Sequence, residues 1–348
     1  MRRNRFGAAW CGAGLALVVA CGGEGEPAVV ADVVEVVAPA DVAPDPSPAD
    51  VADEGAAPDP SPADVAPEQV GPEAYDGPWR KSLKSCWTDA TCNRVLLVSH
   101  GGDWDENLPY DSQAAFHRAY DKGADAIKTD FLVTKDNVGV VAHSSPILFY
   151  ESPECAGQKI EEMTAAEVTA CHVGTSTTET TQRVDDVMEW ARGKVLLMLT
   201  VKSEADFGRA ISTTLERDAA DYVFIEAYPG AFQNTILTLP DHDKLLYNID
   251  LGGMDEVNAL FAQKNPLVFL YEMDATYADA TAAQMTAFIK DQLHPANLKS
   301  FVQGDQALSY NQQLALLDEG FDVLMTYALD AAIQARIQVN TARGLTPP

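Results

Sequence analysis

Residues 80–348 predict an α/β fold, a parallel (β/α)8 or TIM barrel, on three observations. The stretch holds 269 residues, close to the ~250 typical of such a barrel. Eight apolar runs of strand length recur along it, separated by helix-like stretches that end in glycine. Strand and helix in repeated alternation imply a parallel sheet. Polar residues gather at the ends of the runs, on the barrel face where such folds carry their chemistry.

The first run, "RVLLVSH" (94–100), ends on His100, and "DSQAAFHRAYDKG" (111–123) follows as a helix stopped by Gly123. Residues 123–145 read as two short strands around a turn. Lys128 and Asp130 stand two apart in the first of them, "ADAIKTDFL" (124–132), and His143 ends the second. Residues i and i+2 of a strand share a face, so Lys128 and Asp130 act together. The helix "VDDVMEWARGK" (184–194) leads into "KVLLMLTV" (194–201), and "EADFGRAISTTLERDA" (204–219) into "DYVFIEA" (221–227). The runs "KLLYNID" (244–250), "PLVFLYEM" (266–273) and "LKSFVQ" (298–303) come next, and the helix "NQQLALLDEG" (311–320) precedes "FDVLMTY" (321–327). Along these runs, His100, Asp130, Thr200, Glu226, Asp250, Glu272 and Asp274 converge on one mouth.

Two segments precede the barrel. Residues 1–21 carry three arginines, a short apolar run and small residues before Cys21, the layout of a secretory signal too short to span a bilayer. Leu17–Cys21 resembles a bacterial lipobox, so Cys21 is the expected site of acylation. Residues 22–79 contain no Lys or Arg, are rich in Ala, Pro, Asp, Glu and Val, and repeat "APDPSPADVA" at 43–52 and 57–66. A fourteen-residue period rich in proline is a linker and no packed repeat. At ~3.1 Å per residue it could stretch to roughly 170 Å. The expected setting is the bacterial cell envelope, with the barrel lipid-anchored on the periplasmic or surface side.

The chain carries a formal charge of −28, and residues 80–348 keep 38 acidic against 21 basic residues, a charge of −17. That excludes nucleic acid as the expected partner but leaves room for an anionic small molecule in a local positive pocket. Of six cysteines, Cys11 lies within the signal and Cys21 in the lipobox. An exported, oxidising setting favours disulfides for the other four, most simply Cys86–Cys92 and Cys155–Cys171.

The stretch "SHGGDWDENLPYDSQAAFHRAYDKGADAIKTDFLVTKDNVGVVAHS" (99–144) resembles the opening of the glycerophosphodiester phosphodiesterases, whose pattern runs roughly HRG, PENT, AAF, GADxIExDVxxTKDGxxVxxHD. The likeness continues weakly through "MTAAEV" (163–168), "LTVK" (199–202) and "GFDVLMTY" (320–327). It implies a TIM barrel like those of the phosphatidylinositol-phospholipase-C-like phosphodiesterases, a divalent cation, Mg²⁺ or Ca²⁺, and two catalytic histidines. Matched residue by residue, His100 and His143 take the acid/base positions and Asp130 that of a metal ligand. Lys202 takes the position of a lysine near the phosphate.

The departures matter as much. Lys128 stands at the metal-binding glutamate of ExD, Thr200 at another carboxylate, Gly101 at the arginine of HRG, and Tyr110 at the glutamate of PENT. A hard cation wants several oxygen ligands. Three readings follow. Lys128 replaces the metal, binding phosphate with Lys202 while His100, His143 and Lys128 form the catalytic set. Alternatively, Asp130 rebuilds a metal site with Asp103, Asp105, Glu106 or Glu226. Or the chemistry is lost, and the barrel only binds phosphorylated polyols or lipid head groups. The expected ligand is a phosphodiester, either a glycerophosphodiester or a phospholipid head group. A glycosidase using Glu226 and Glu272 is a rival from another class.

Overall fold

Apolar runs alternating with helices close on themselves in the computed structural model, which describes residues 78–89, 91–274, 280–304 and 308–345. The signal segment 1–21 with Cys21, and the linker up to residue 77, lie outside the described residues. Described elements run in the order β1 (Leu96–His100), α1 (Gln113–Lys122), β2 (Ala126–Val133), β3 (Gly139–Val141), α2 (Ala165–Val168) and α3 (Val184–Ala191). They continue with β4 (Leu196–Val201), α4 (Phe207–Glu216), β5 (Val223–Ala227), α5 (Pro229–Asn234), β6 (Tyr247–Asp250) and α6 (Met254–Gln263). The last are β7 (Val268–Asp274), α7 (Ala282–Phe288), β8 (Lys299–Gln303), α8 (Tyr310–Glu319), β9 (Val323–Thr326) and α9 (Leu329–Ala342).

Every strand except β3 pairs in parallel with its neighbours, and β1 meets both β9 and β2, which closes an eight-strand barrel. The predicted fold is therefore the observed one. The short β3 turns back antiparallel on β2, as the hairpin reading expected. Helix ends follow local chemistry. Ser112 caps α1 by accepting from the Ala115 N–H, and Gly123 ends it in the left-handed region at φ 104°. Thr164 and Glu167 make a capping box for α2 within "MTAAEV". The run 244–250 yields only four strand residues, because His242–Lys244 folds as a 3-10 turn.

Register brings the polar strand ends together. His100 lies beside Lys128, Asp130 beside Thr200, Thr200 beside Glu226, Glu226 beside Asn248, and Asp250 beside Glu272. Asp125, the acid of "GAD", does different work below them. Its Oδ2 accepts from the Leu97 N–H at 2.9 Å and from Arg336 on α9 at 2.8 Å, so one carboxylate ties β1, the start of β2 and the last helix.

Both expected disulfides are present, Cys86–Cys92 and Cys155–Cys171. The first sits in the segment leading into β1, where Trp87 is buried against Phe224 and Lys299 donates to the Cys92 carbonyl. The second closes a loop of separation 16, a constraint worth ~3 kcal/mol in the chain-entropy account. That loop belongs to the long β3–α3 connection, which packs its own small core of Ile147, Ile160, Met163 and Val168 against Leu132 and Val140.

Candidate active site

At the C-terminal mouth of the barrel, β2 presents Lys128 and Asp130 on one face. Both are buried, at 3% and 0% exposure. The Lys128 ammonium donates to Asp130 Oδ1 at 2.5 Å and to the Tyr110 hydroxyl at 2.8 Å. Lys202, just past β4, reaches the same Oδ1 at 2.9 Å, and the Tyr110 hydroxyl donates to Oδ2 at 2.9 Å. Burial works against the charges on both β2 residues, but mutual attraction wins. Lys128 is held above the ordinary lysine range, and the two ammoniums hold Asp130 below the usual carboxylate range. Two ammoniums and one carboxylate leave the cluster with a net charge of +1.

Asp111 lies behind Asp130, with Oδ2 accepting from the Asp130 N–H at 3.3 Å. Burial, then the Asp130 charge, push its pKa well above the carboxylate range. Tyr110 covers the cluster because Gly101 allows it. Gly101 sits at φ 68°, and a Cβ there would lie 2.0 Å from the Tyr110 ring.

The two histidines stand in different environments. His100 is buried at the end of β1, stacks on Tyr327 at 4.1 Å, and shares a hydrogen bond of 2.9 Å between Nε2 and the Tyr327 hydroxyl. Burial and then the Lys128 ammonium push its pKa down to about 2, so the ring is neutral. His143, beyond β3, is partly exposed, and its Nδ1 faces Glu151 Oε1 at 3.1 Å and Ser144 Oγ at 2.9 Å. Burial opposes the Glu151 charge, but hydrogen bonds from His143 and Ser144 keep its carboxyl below the usual range. The Tyr110 ring lies 5.6 Å from His100 and 6.3 Å from His143.

The His100 environment has a measurable consequence. A histidine of pKa 6.5 unfolded and about 2 folded contributes its full stability above pH 6.5 and loses it as pH falls toward the folded value. Between pH 7 and pH 5 the wild type should therefore lose about 2 kcal/mol relative to His100→Gln. Urea unfolding of both proteins at the two pH values measures the difference. Equal losses would show that His100 is not held neutral.

The residues present do not fit a divalent cation. Asp130 has both oxygens engaged, and two ammonium groups already occupy its surroundings. The rebuilt metal set does not assemble. Asp103 and Asp105 pair with Arg118, Asp103 also with Lys122, Glu106 is exposed, and Glu226 accepts from the Thr200 hydroxyl. Among the described residues no group of three or more His, Cys, Asp or Glu is placed to hold a metal. Glu226 and Glu272 are within hydrogen-bonding reach of each other, with the Glu272 pKa pushed well above the carboxylate range by burial and then by the Glu226 charge. Glycosidase carboxyls instead stand ~5 Å or more apart, flanking the scissile bond.

A cavity of about 460 Å³ opens between the histidines. Both line it, as do Tyr110, Asp111, Tyr327 and Glu151. Of these, Asp111, Tyr327 and Glu151 were not legible as site residues. Glu151 lies in the aperiodic β3–α3 connection, Asp111 stands where the family pattern has an asparagine, and Tyr327 looked like the apolar end of a strand.

The sequence matches the Glycerophosphoryl diester phosphodiesterase family over residues 104–314. Among curated proteins nothing matches. Solved structures share the fold at low identity. A glycerophosphoryl diester phosphodiesterase from Parabacteroides distasonis aligns at 18% identity and TM-score 0.61, covering 76% of this chain and 93% of that one. A glycerophosphodiester phosphodiesterase from Agrobacterium tumefaciens aligns at 16% and 0.56, covering 68% and 98%. An Oleispira antarctica phosphodiesterase, solved with its product sn-glycerol-3-phosphate, aligns at 16% and 0.56, covering 71% and 98%.

Proposed function

Because the chain belongs to the glycerophosphoryl diester phosphodiesterase family, we propose that it is a phosphoric diester hydrolase in which ammonium groups stand where the family pattern implies a metal ion. The observation that carries this reading is the Lys128–Asp130–Lys202 cluster, whose net charge of +1 lies beneath Tyr110 and close to both histidines. A phosphodiester carries one negative charge, so the cluster suits it and repels a divalent cation. Lys202, the more exposed of the two lysines, meets a non-bridging oxygen. Lys128 acts through the Tyr110 hydroxyl it touches, and Asp130 holds both ammoniums in place.

One of the two histidines, His100 or His143, takes the proton of the nucleophile and the other protonates the leaving alkoxide. Without a metal to activate water, a neighbouring substrate hydroxyl is the better nucleophile, and the product is a cyclic phosphate. The substrates are glycerophosphodiesters or phospholipid head groups.

The chain works, in this reading, as a lipoprotein of the bacterial envelope, acylated at Cys21 and tethered to the membrane by residues 22–79. The basic, apolar and small-residue start supports this, and so do two disulfides of the kind that form in oxidising compartments.

The test is turnover of glycerophosphodiesters, which carry the neighbouring hydroxyl, by the full chain, in EDTA and then with Mg²⁺ or Ca²⁺. We expect turnover in EDTA, lowered about 10²-fold or more in His143→Ala. Turnover only with added cation would overturn the metal replacement. Saturable binding without turnover in folded protein would favour a binding module for phosphorylated polyols or lipid head groups.

A further inference from the structure

The cavity beside the histidines has one apolar wall among its polar lining residues. Its wall on the side of the β3–α3 connection is Val141, Ile147, Ile160 and Val173, and Pro109 faces in as well. Among the described residues no Lys or Arg lines it, so the phosphate charge is met at the Lys128–Lys202 cluster and not here. Ile147 and Ile160 belong to the small core pinned by Cys155–Cys171, so this apolar wall is built into the fold and is more than loose side chains lying over a cleft.

Large apolar side chains also stand exposed beside the cavity. Tyr150 lines the cavity and is 65% exposed, and next to it in the chain Phe149 is 73% and Leu148 42% exposed. Trp104, also a lining residue, is 40% exposed. Exposed large hydrophobics among the described residues comprise these four and Tyr228, so four of the five belong to or adjoin one opening. Contiguous exposed apolar surface marks a place where apolar material binds.

Resting on the proposed phosphodiesterase reading, we infer that this cavity takes an alkyl or acyl chain borne by one alcohol of the phosphodiester. The chain lies along Val141, Ile147, Ile160 and Val173 and leaves over Tyr150 and Phe149, while the phosphate stays at the Lys128–Lys202 cluster. The substrate class is thus a single-chain lipid phosphodiester, preferred over its chain-free counterpart.

Binding tests this apart from catalysis. Alkylphosphocholines of six, eight and ten carbons, kept below their critical micelle concentrations, are titrated into the full chain by calorimetry. Affinity should rise about tenfold for each two methylenes buried. In Val173→Trp and in Thr175→Trp, which fill the cavity from its lining, the chain-length dependence should flatten. Thr175 is exposed, so its replacement leaves the core intact, and unchanged thermal unfolding confirms that. Hydrolysis is then compared between glycerophosphocholine and its monoacyl derivatives of matching length. Affinity independent of chain length in the wild type would overturn the inference, even with hydrolysis intact. Steep chain dependence without hydrolysis of any diester would uphold the cavity assignment and overturn the phosphodiesterase reading.

Discussion

Replacing Lys128 by Met is expected to lower phosphodiester turnover about a thousandfold and to leave it unrestored by Mg²⁺ or Ca²⁺. The rate effect follows from charge. Removing the ammonium takes the cluster from +1 to 0, and a single preorganised charge or donor at a site of developing negative charge is worth roughly 10²–10³ in rate. The Tyr110 hydroxyl also loses the partner it touches at 2.8 Å. A second effect accompanies the first. Asp130 is fully buried and keeps Lys202 and Tyr110 as partners, and breaking a buried pair costs about 3–5 kcal/mol when the other charge stays behind. Steady-state kinetics at protein concentrations where unfolding curves show a folded variant separate the two. Lys128→Glu supplies the complementary test, because it recreates the family's ExD pair. In EDTA two buried carboxylates repel, so this variant should unfold more readily than Lys128→Met. Added Ca²⁺ or Mg²⁺ should recover part of that loss. If Lys128→Met keeps wild-type turnover, the ammonium has no part in the reaction.

Why was so much of the barrel visible beforehand, and less of the site? Strands β1, β2 and β4–β9 are buried on both faces and read as continuous apolar runs. Their ends were polar for the same reason that they line the mouth, so His100, Asp130, Glu226 and Glu272 could be placed by counting. The i, i+2 alternation of a strand placed Lys128 and Asp130 on one face, and the structure puts them in contact. Contacts between distant segments were a different matter. Gly101 and Tyr110 looked like two separate departures from a family pattern, yet they are one change, since the ring lies where any side chain at 101 would stand. Glu151 reaches His143 from a stretch without periodicity, in a connection that the Cys155–Cys171 disulfide steadies. Asp111 owes its raised pKa to burial behind Asp130, which no spacing reveals.

Asp125→Ala is expected to cost about 3–5 kcal/mol of stability, with little direct effect on the reacting groups. The side chain is far down β2 from the mouth, and its work is closure. Arg336 is wholly buried on α9, donating to Asp125 Oδ2 at 2.8 Å and to the Gly123 carbonyl at 3.1 Å. Burial raises the Asp125 pKa while Arg336 pulls it down, so the pair itself is no large net gain. The loss comes from what stays behind, a buried guanidinium facing a cavity, together with a Leu97 N–H stripped of its acceptor. At roughly 2–4 °C per kcal/mol for a domain of this size, calorimetry should show the transition about 10 °C lower. Pairing Asp125→Leu with Arg336→Met removes both charges and should recover much of the loss, since apolar replacement of a buried pair is often neutral or better. If the double variant is as unstable as the single one, the "GAD" aspartate is held there by its backbone contact to β1 and not by α9.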